Sequence, residues 1–255
     1  MVQVEIKNRV AYLTLNRPEK RNSLNDEMAQ AIHQSLIELK TNFECKVLVV
    51  KGNGESFCAG ADLSYLQKLQ NNSFEENLAD SKALKNMFLE LYTFPKISIA
   101  QVHGAALAGG CGLATLCDFV YSTPGAQFGY TEVKIGFIPA IVSAFLMSKI
   151  GENLSNELLL TGKLVDADTA LSYRLINGII NENEMNEKIA EMAEKWTQTV
   201  SSNSIMMTKK LLYQFKEKTL IENLELACQF NAETRASDDC KKGISAFLNK
   251  EKIVW

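Results

Sequence analysis

The chain has 255 residues, 46% hydrophobic and 22% charged, with a net charge of −3. That length buries a substantial core without disulfides, and the composition is that of an ordinary globular protein. The acidic balance gives no clustered basic face for nucleic acid. Lys209-Lys210 and Lys241-Lys242 are the densest basic spots and read as solvated helix faces. No apolar run reaches membrane-spanning length.

In chain order, Val2–Ile6 and Val10–Leu15 are predicted strands joined at Lys7-Asn8-Arg9. Asn25 or Asp26 caps a helix through about Leu39, with Met28, Ile32, Leu36 and Leu39 on one face. Val47–Lys51 and Ile97–Val102 are apolar runs suited to buried strands. Ser56–Asp62 is a loop of small residues, and Glu75–Tyr92 is a helix stopped before Pro95. Gly104–Gly112 leads into the helical run Leu113–Cys117, after which Asp118–Ser122 returns to strand. From Pro139 the pattern is helical over 139–150, 153–161, 166–173, 184–199, 203–217, 219–234 and 237–249, with a strand-like break at Gly178–Ile180. This is an α/β core followed by a helical part, divided as 1–195 and 196–255.

The six cysteines include no C-x-x-C pair, and the chain has only two histidines, so no metal site is expected. The cysteines read as small core residues in a reducing compartment. The alternating N-terminus lacks the apolar core of a signal peptide, so a cytoplasmic location is expected.

Two segments share a design. Phe57-Cys58-Ala59-Gly60-Ala61-Asp62-Leu63 and His103–Gly112 each follow a buried-strand candidate, consist of small residues and lead toward a helix. Such turns either point free backbone N–H groups at a ligand or only permit tight strand-to-helix packing. Facing one point, two of them would hold a developing oxyanion.

These segments carry a resemblance. The chain resembles the crotonase (enoyl-CoA hydratase/isomerase) superfamily through NRPEKRNSLN at 16–25, FCAGADL at 57–63, HGAALAGGCGLATLCD at 103–118, QFGYTEVKIGFIP at 127–139, Leu160-Thr161-Gly162 and GISAFL at 243–248. The resemblance implies a repeated ββα spiral core and C-terminal helices supporting a homotrimer or a hexamer. It implies an acyl-CoA thioester substrate, with coenzyme A as part of that substrate and no other cofactor. Ala61 and Gly109 take the positions of the two oxyanion N–H donors, and Glu132 that of the acid/base. Ala59, Asp62, Leu63 and Gly110 fall at CoA-binding positions. Arg17 and Lys20 match contacts to CoA phosphates or pantetheine, and Phe247 and Lys250 match tail positions that enclose CoA.

Familiar hydratases of this superfamily use two glutamates, and here the first position is Gly112. Its glycine run also opens on Ala108. A pocket of Phe128, Ile135, Phe137 and Ile138 would raise the pKa of Glu132 by desolvation. His103 and Cys111 read as structural. The segment after Glu132 is similar to bacterial 3-methylglutaconyl-CoA hydratases, whose substrate has a distal carboxylate. Lys134, Tyr65 and Tyr130 are the candidate partners for that group. The expected activity is hydration of a short branched enoyl-CoA. A one-base Δ3-Δ2 isomerase, a decarboxylase and a non-catalytic acyl-CoA or acyl-carrier-protein binder are the alternatives.

Overall fold

The computed structural model describes residues 1–214 and 217–251. Its strands are β1 (Val2–Lys7), β2 (Val10–Leu15), β3 (Val47–Gly52), β4 (Ile97–Val102), β5 (Ala105–Leu107), β6 (Phe119–Ser122), β7 (Gln127–Gly129), β8 (Val165–Asp166) and β9 (Gly178–Ile179). Its first helices are α1 (Asp26–Thr41), α2 (Leu63–Leu69), α3 (Phe74–Tyr92), α4 (Gly109–Thr115), α5 (Ala140–Ile150), α6 (Glu152–Thr161) and α7 (Ala167–Ser172). The C-terminal helices are α8 (Glu182–Thr199), α9 (Ser202–Gln214), α10 (Glu217–Ala236) and α11 (Asp238–Leu248). Residues 215–216 of the expected 203–217 helix, and residues 252–255, lie outside the described residues.

A six-stranded sheet runs in the order β1-β2-β3-β4-β6-β9, with β1 antiparallel to β2 and the remaining pairs parallel. Alternation divides its two faces. Val47 and Val49 of β3 pack with Ile97 and Ile99 of β4 against Met185, Ile189 and Ala193 of α8. Leu48 and Val50 point the other way, into the main core with Leu36 of α1 and Phe88 of α3. Burial on both faces is why these strands are continuous apolar runs. A second sheet orders β5-β7-β8.

Asn25 caps α1 by accepting from the Met28 N–H, and Met28, Ile32, Leu36 and Leu39 form its buried face, as their spacing predicts. Ser73 and Glu76 form a reciprocal capping box at α3. Residue 195, the sequence-based boundary, falls inside α8. Beyond it, Leu220 and Leu224 of α10 belong to the same hydrophobic core as β2 and β3.

The loop before α1 is held by a buried side chain. Asn22 donates to the Asn53 and Ser56 carbonyls, both at 2.8 Å, and accepts from the Arg17 N–H at 2.8 Å. Asn22→Ala would leave those partners without it, and each buried orphan costs about 1–3 kcal/mol. We expect a loss of about 3 kcal/mol in denaturant unfolding; a variant within about 0.5 kcal/mol of the parent would show that water replaces the side chain.

Candidate active site

The parallel pair β3 and β4 delivers both glycine-rich turns to the same sheet end. Past the strands, pairing continues between Cys58 and Ala106. The Cys58 N–H donates to the Ala105 carbonyl and the Leu107 N–H to the Cys58 carbonyl, each at 3.0 Å. Three residues beyond this stitch on either segment lie Ala61 and Gly109. Neither N–H donates to a backbone carbonyl among the described residues, and both residues line one cavity of about 710 Å³ with Glu132. The arrangement offers two backbone donors to a ligand oxygen.

Gly109 opens α4, so its N–H is one of the donors a helix cannot satisfy internally. Ala108, before it, has φ 50° and ψ −127°, a backbone region suited to glycine, whose occupation by another residue costs on the order of 1–3 kcal/mol.

Glu132 begins a 3-10 turn, Glu132–Ile135, after β7. The residue is half-buried, but its Oε2 is buried and has no hydrogen-bond partner. Burial pushes its carboxyl up to about 7, as the sequence reading expected. Ile135, Phe137 and Ile138 line the cavity beside it. Phe128, expected with them, is instead fully buried in the core.

Gly112 faces α5. A Cβ there would come within 2.4 Å of Val142 Cγ1 and 3.6 Å of Phe88. The space a side chain at position 112 would need is filled by Val142.

Ala59 and Phe247 also line the cavity, whereas other expected CoA-contact residues are placed elsewhere. Gly110 is buried, and a Cβ on it would lie 2.2 Å from the Cys58 carbonyl oxygen, so its glycine is needed for the close approach of the two turns. Asp62 is buried and caps α2 through the Ser64 N–H. Its burial would raise its pKa, but hydrogen bonds from Ser64 and Arg17 outweigh that and hold it at about 2. Arg17 pairs with Asp62 at 2.8 Å and donates to the Ser23 carbonyl at 3.2 Å. These two residues therefore brace the loop against each other rather than opening onto the cavity. Leu63 and Lys20 are exposed outside the cavity lining, as is Lys250, whose φ is 58°.

His103 holds the Gly54 carbonyl at 2.8 Å, and burial pushes the Cys111 thiol up to about 12; both placements suit structural roles. Lys134 is exposed and outside the cavity, and Tyr130 is buried against the Thr115 hydroxyl at 3.0 Å. Of the three candidates for a distal carboxylate only Tyr65 reaches the cavity. Position-pattern reading missed Arg235 and Asn231 of α10, which also line it. Their signal is a polar pair four apart in a helix, which by itself distinguishes nothing from a solvated face.

Two outcomes follow from this geometry. The folded state holds the Glu132 proton more tightly than the unfolded chain, so this group's stabilisation is complete below pH 4.5 and is lost as pH rises through about 7. Glu132→Gln should therefore melt above the parent at pH 8, by up to on the order of 3 kcal/mol, with the gap closing toward pH 4.5. Equal melting curves at both pH values would mean the carboxylate is solvated. Separately, Gly112→Glu should lower stability by about 1–3 kcal/mol through overpacking, and Val142→Gly in the same chain should relieve the clash. A stable Gly112→Glu single variant would contradict the packing argument.

The enoyl-CoA hydratase/isomerase family matches residues 5–255. A Thermus thermophilus protein named "putative enoyl-CoA hydratase" is 41% identical over 250 residues, covering 98% of each chain. The 2,3-dehydroadipyl-CoA hydratase of Escherichia coli is 32% identical over 95% of this chain and 93% of its own. The crystal structure of an enoyl-CoA hydratase from Bacillus halodurans superposes with a TM-score of 0.90 at 26% identity, over 96% of this chain and 99% of that one. With this fold and this match along nearly its whole length, the chain belongs to the crotonase superfamily and is an enzyme of the enoyl-CoA hydratase/isomerase type.

Proposed function

We propose that the chain adds water across the α,β double bond of a short, branched enoyl-CoA, and reversibly removes it, with 3-methylglutaconyl-CoA as the specific substrate. The observation that carries the chemistry is the meeting in one cavity of two backbone N–H groups and one desolvated carboxylate whose Oε2, like those N–H groups, finds no partner among the described residues.

In this mechanism the thioester carbonyl oxygen accepts from the Ala61 and Gly109 N–H groups. Those donors act most strongly on the enolate, where charge has moved onto that oxygen. The Glu132 carboxylate takes a proton from water as the water oxygen bonds to Cβ. The same proton then passes from the neutral Glu132 carboxyl to Cα, which restores the carbonyl and the carboxylate. One carboxylate with a pKa near 7 suits both halves of this transfer at neutral pH.

The filled space at Gly112 favours a second reading. A Δ3-Δ2 isomerase moves a proton between two carbons with one base, and Val142 stands where the other carboxylate would need room. Decarboxylation, which needs only the donors and a proton, is a further alternative, as is an acyl-CoA or acyl-carrier-protein binder without turnover. The branched substrate rests on the resemblance of the segment after Glu132.

A homotrimer or hexamer in the cytosol completes the proposal. Exposed Met207, Leu211 and Leu212 on α9 and Leu226 and Phe230 on α10 offer apolar surface for assembly.

The test is a panel of crotonyl-, 3-hydroxybutyryl-, 3-enoyl- and 3-methylglutaconyl-CoA with products identified by mass. Hydration of the 2-enoyl thioesters is expected, with Glu132→Gln reducing kcat by about 10²–10⁴-fold. Turnover of the 3-enoyl thioester alone would replace the hydratase with the isomerase, and binding with no turnover of any member would leave the binder.

A further inference from the structure

One wall of the cavity is polar, and the mechanism above does not use it. Tyr65 of α2, Asp80 of α3, and Asn231 and Arg235 of α10 all line the cavity. Arg235 is 4% exposed. Its NH1 group donates to Asp80 Oδ2 at 2.6 Å and to the Asn77 carbonyl at 3.2 Å, while its Nε is buried without a partner. Asp80 is fully engaged, since its other oxygen takes the Tyr65 hydroxyl. Asn231 is also buried, and its amide nitrogen donates to the Ser81 hydroxyl at 3.1 Å, leaving the amide oxygen unpaired. A serine hydroxyl both donates and accepts, so the amide can turn and present N–H instead.

Phe137 links this wall to the turn that Glu132 begins. The Arg235 guanidinium carbon lies 5.7 Å from the Phe137 ring centroid, and the Phe137 N–H donates to the Glu132 carbonyl at 3.1 Å. Arg235 and Asn231 are one helical turn apart and share a face. Buried polar groups in native structures are nearly always paired, and two unpaired ones on one face of a helix call for an explanation.

We propose that Arg235, with Asn231, determines substrate specificity by holding a carboxylate at the end of the acyl chain remote from the thioester. The guanidinium is permanently charged, and among the described residues nothing accepts from its NH2 group or its buried Nε, in a cavity otherwise lined largely by carbon. A turned Asn231 amide supplies the second donor, and a carboxylate accepts from both. Asp80 keeps the arginine paired while the site is empty, which avoids an uncompensated buried charge. Asp80 and the Asn77 carbonyl hold NH1, leaving NH2 and Nε as the unspent donors among the described residues. This assignment rests on the hydratase reading and names the chemical class of its substrate.

The test compares kcat/KM for 3-methylglutaconyl-CoA with that for 3-methylpent-2-enoyl-CoA, in which a methyl group stands for the carboxylate. The parent should prefer the carboxylated thioester. Arg235→Gln should lower that preference about 100-fold, mainly through KM. Because Arg235→Gln strands a half-buried Asp80, the double variant Asp80→Asn/Arg235→Gln, which keeps the wall neutral, is measured beside it and should show the same fall. Asn231→Asp, nearly isosteric, should lower the ratio by like-charge repulsion. A ratio within threefold of the parent in the folded double variant and in Asn231→Asp would overturn the assignment. So would a parent that hydrates the apolar thioester and rejects the carboxylated one, an outcome that leaves the hydratase reading intact. If the parent hydrates neither of these thioesters nor crotonyl-CoA, the hydratase reading falls, and the ratio of the Kd values for the two branched thioesters across the same variants decides the role of Arg235.

Discussion

The two hydrogen bonds that stitch Cys58 to the segment around Ala106 are the constraint on which the site depends. Parallel neighbours β3 and β4 leave the sheet at the same end, which brings their following turns close. The stitch then fixes how close. Gly110 allows it, because any Cβ there would meet the Cys58 carbonyl, and Gly104 similarly admits the Glu55 carbonyl at a distance no side chain permits. Ala61 and Gly109, each three residues past the stitch, keep N–H groups that no backbone carbonyl among the described residues takes. The donor pair is thus a consequence of sheet topology and absent side chains, and it costs little reorganisation when charge arrives.

The carboxylate side of the cavity shows the opposite economy. Position 112 has no side chain, and Val142 from α5 occupies the volume. A second buried carboxylate would repel the first and raise the pKa of one of the pair. With carbon in its place, burial dominates the pKa of Glu132, opposed only in part by a backbone hydrogen bond. Gly112 and Val142 are therefore best understood together, as one exchange of a charged group for apolar volume.

Much of the framework was legible from pattern. α1 showed its buried face because Met28, Ile32, Leu36 and Leu39 recur at helical spacing, and β3 and β4 showed theirs as apolar runs bounded by glycine or preceded by proline. The strands β5, β7 and β8 are two or three residues long, too short for any period to register. Within the matching motifs, residues that touch the cavity and residues that shape it are interleaved. Ala59 and Ala61 line the cavity, but Asp62 beside them caps a helix and pairs with Arg17. Arg235 and Asn231 were invisible because their meaning comes from α3, about 150 residues away, where Asp80 and Ser81 wait for them.

The charges of the cavity wall leave Glu132 in a singular position. Asp80 offsets Arg235, Asp26 pairs with Lys68 at 2.5 Å, and Glu76 turns its carboxylate back to the Ser73 N–H. What raises the Glu132 pKa is the loss of water, with no neighbouring charge needed. A group tuned by solvation responds to whatever displaces solvent. A thioester that fills the cavity removes the remaining water, so occupancy itself strengthens the hold of Glu132 on its proton. In the proposed hydration the neutral carboxyl is the form that gives a proton to Cα, and the enolate that takes it is held at the Ala61 and Gly109 donors. On that proposal, substrate entry prepares the acid at the same time as it seats the oxygen on which the negative charge will form, and both effects follow from excluding water from one cavity.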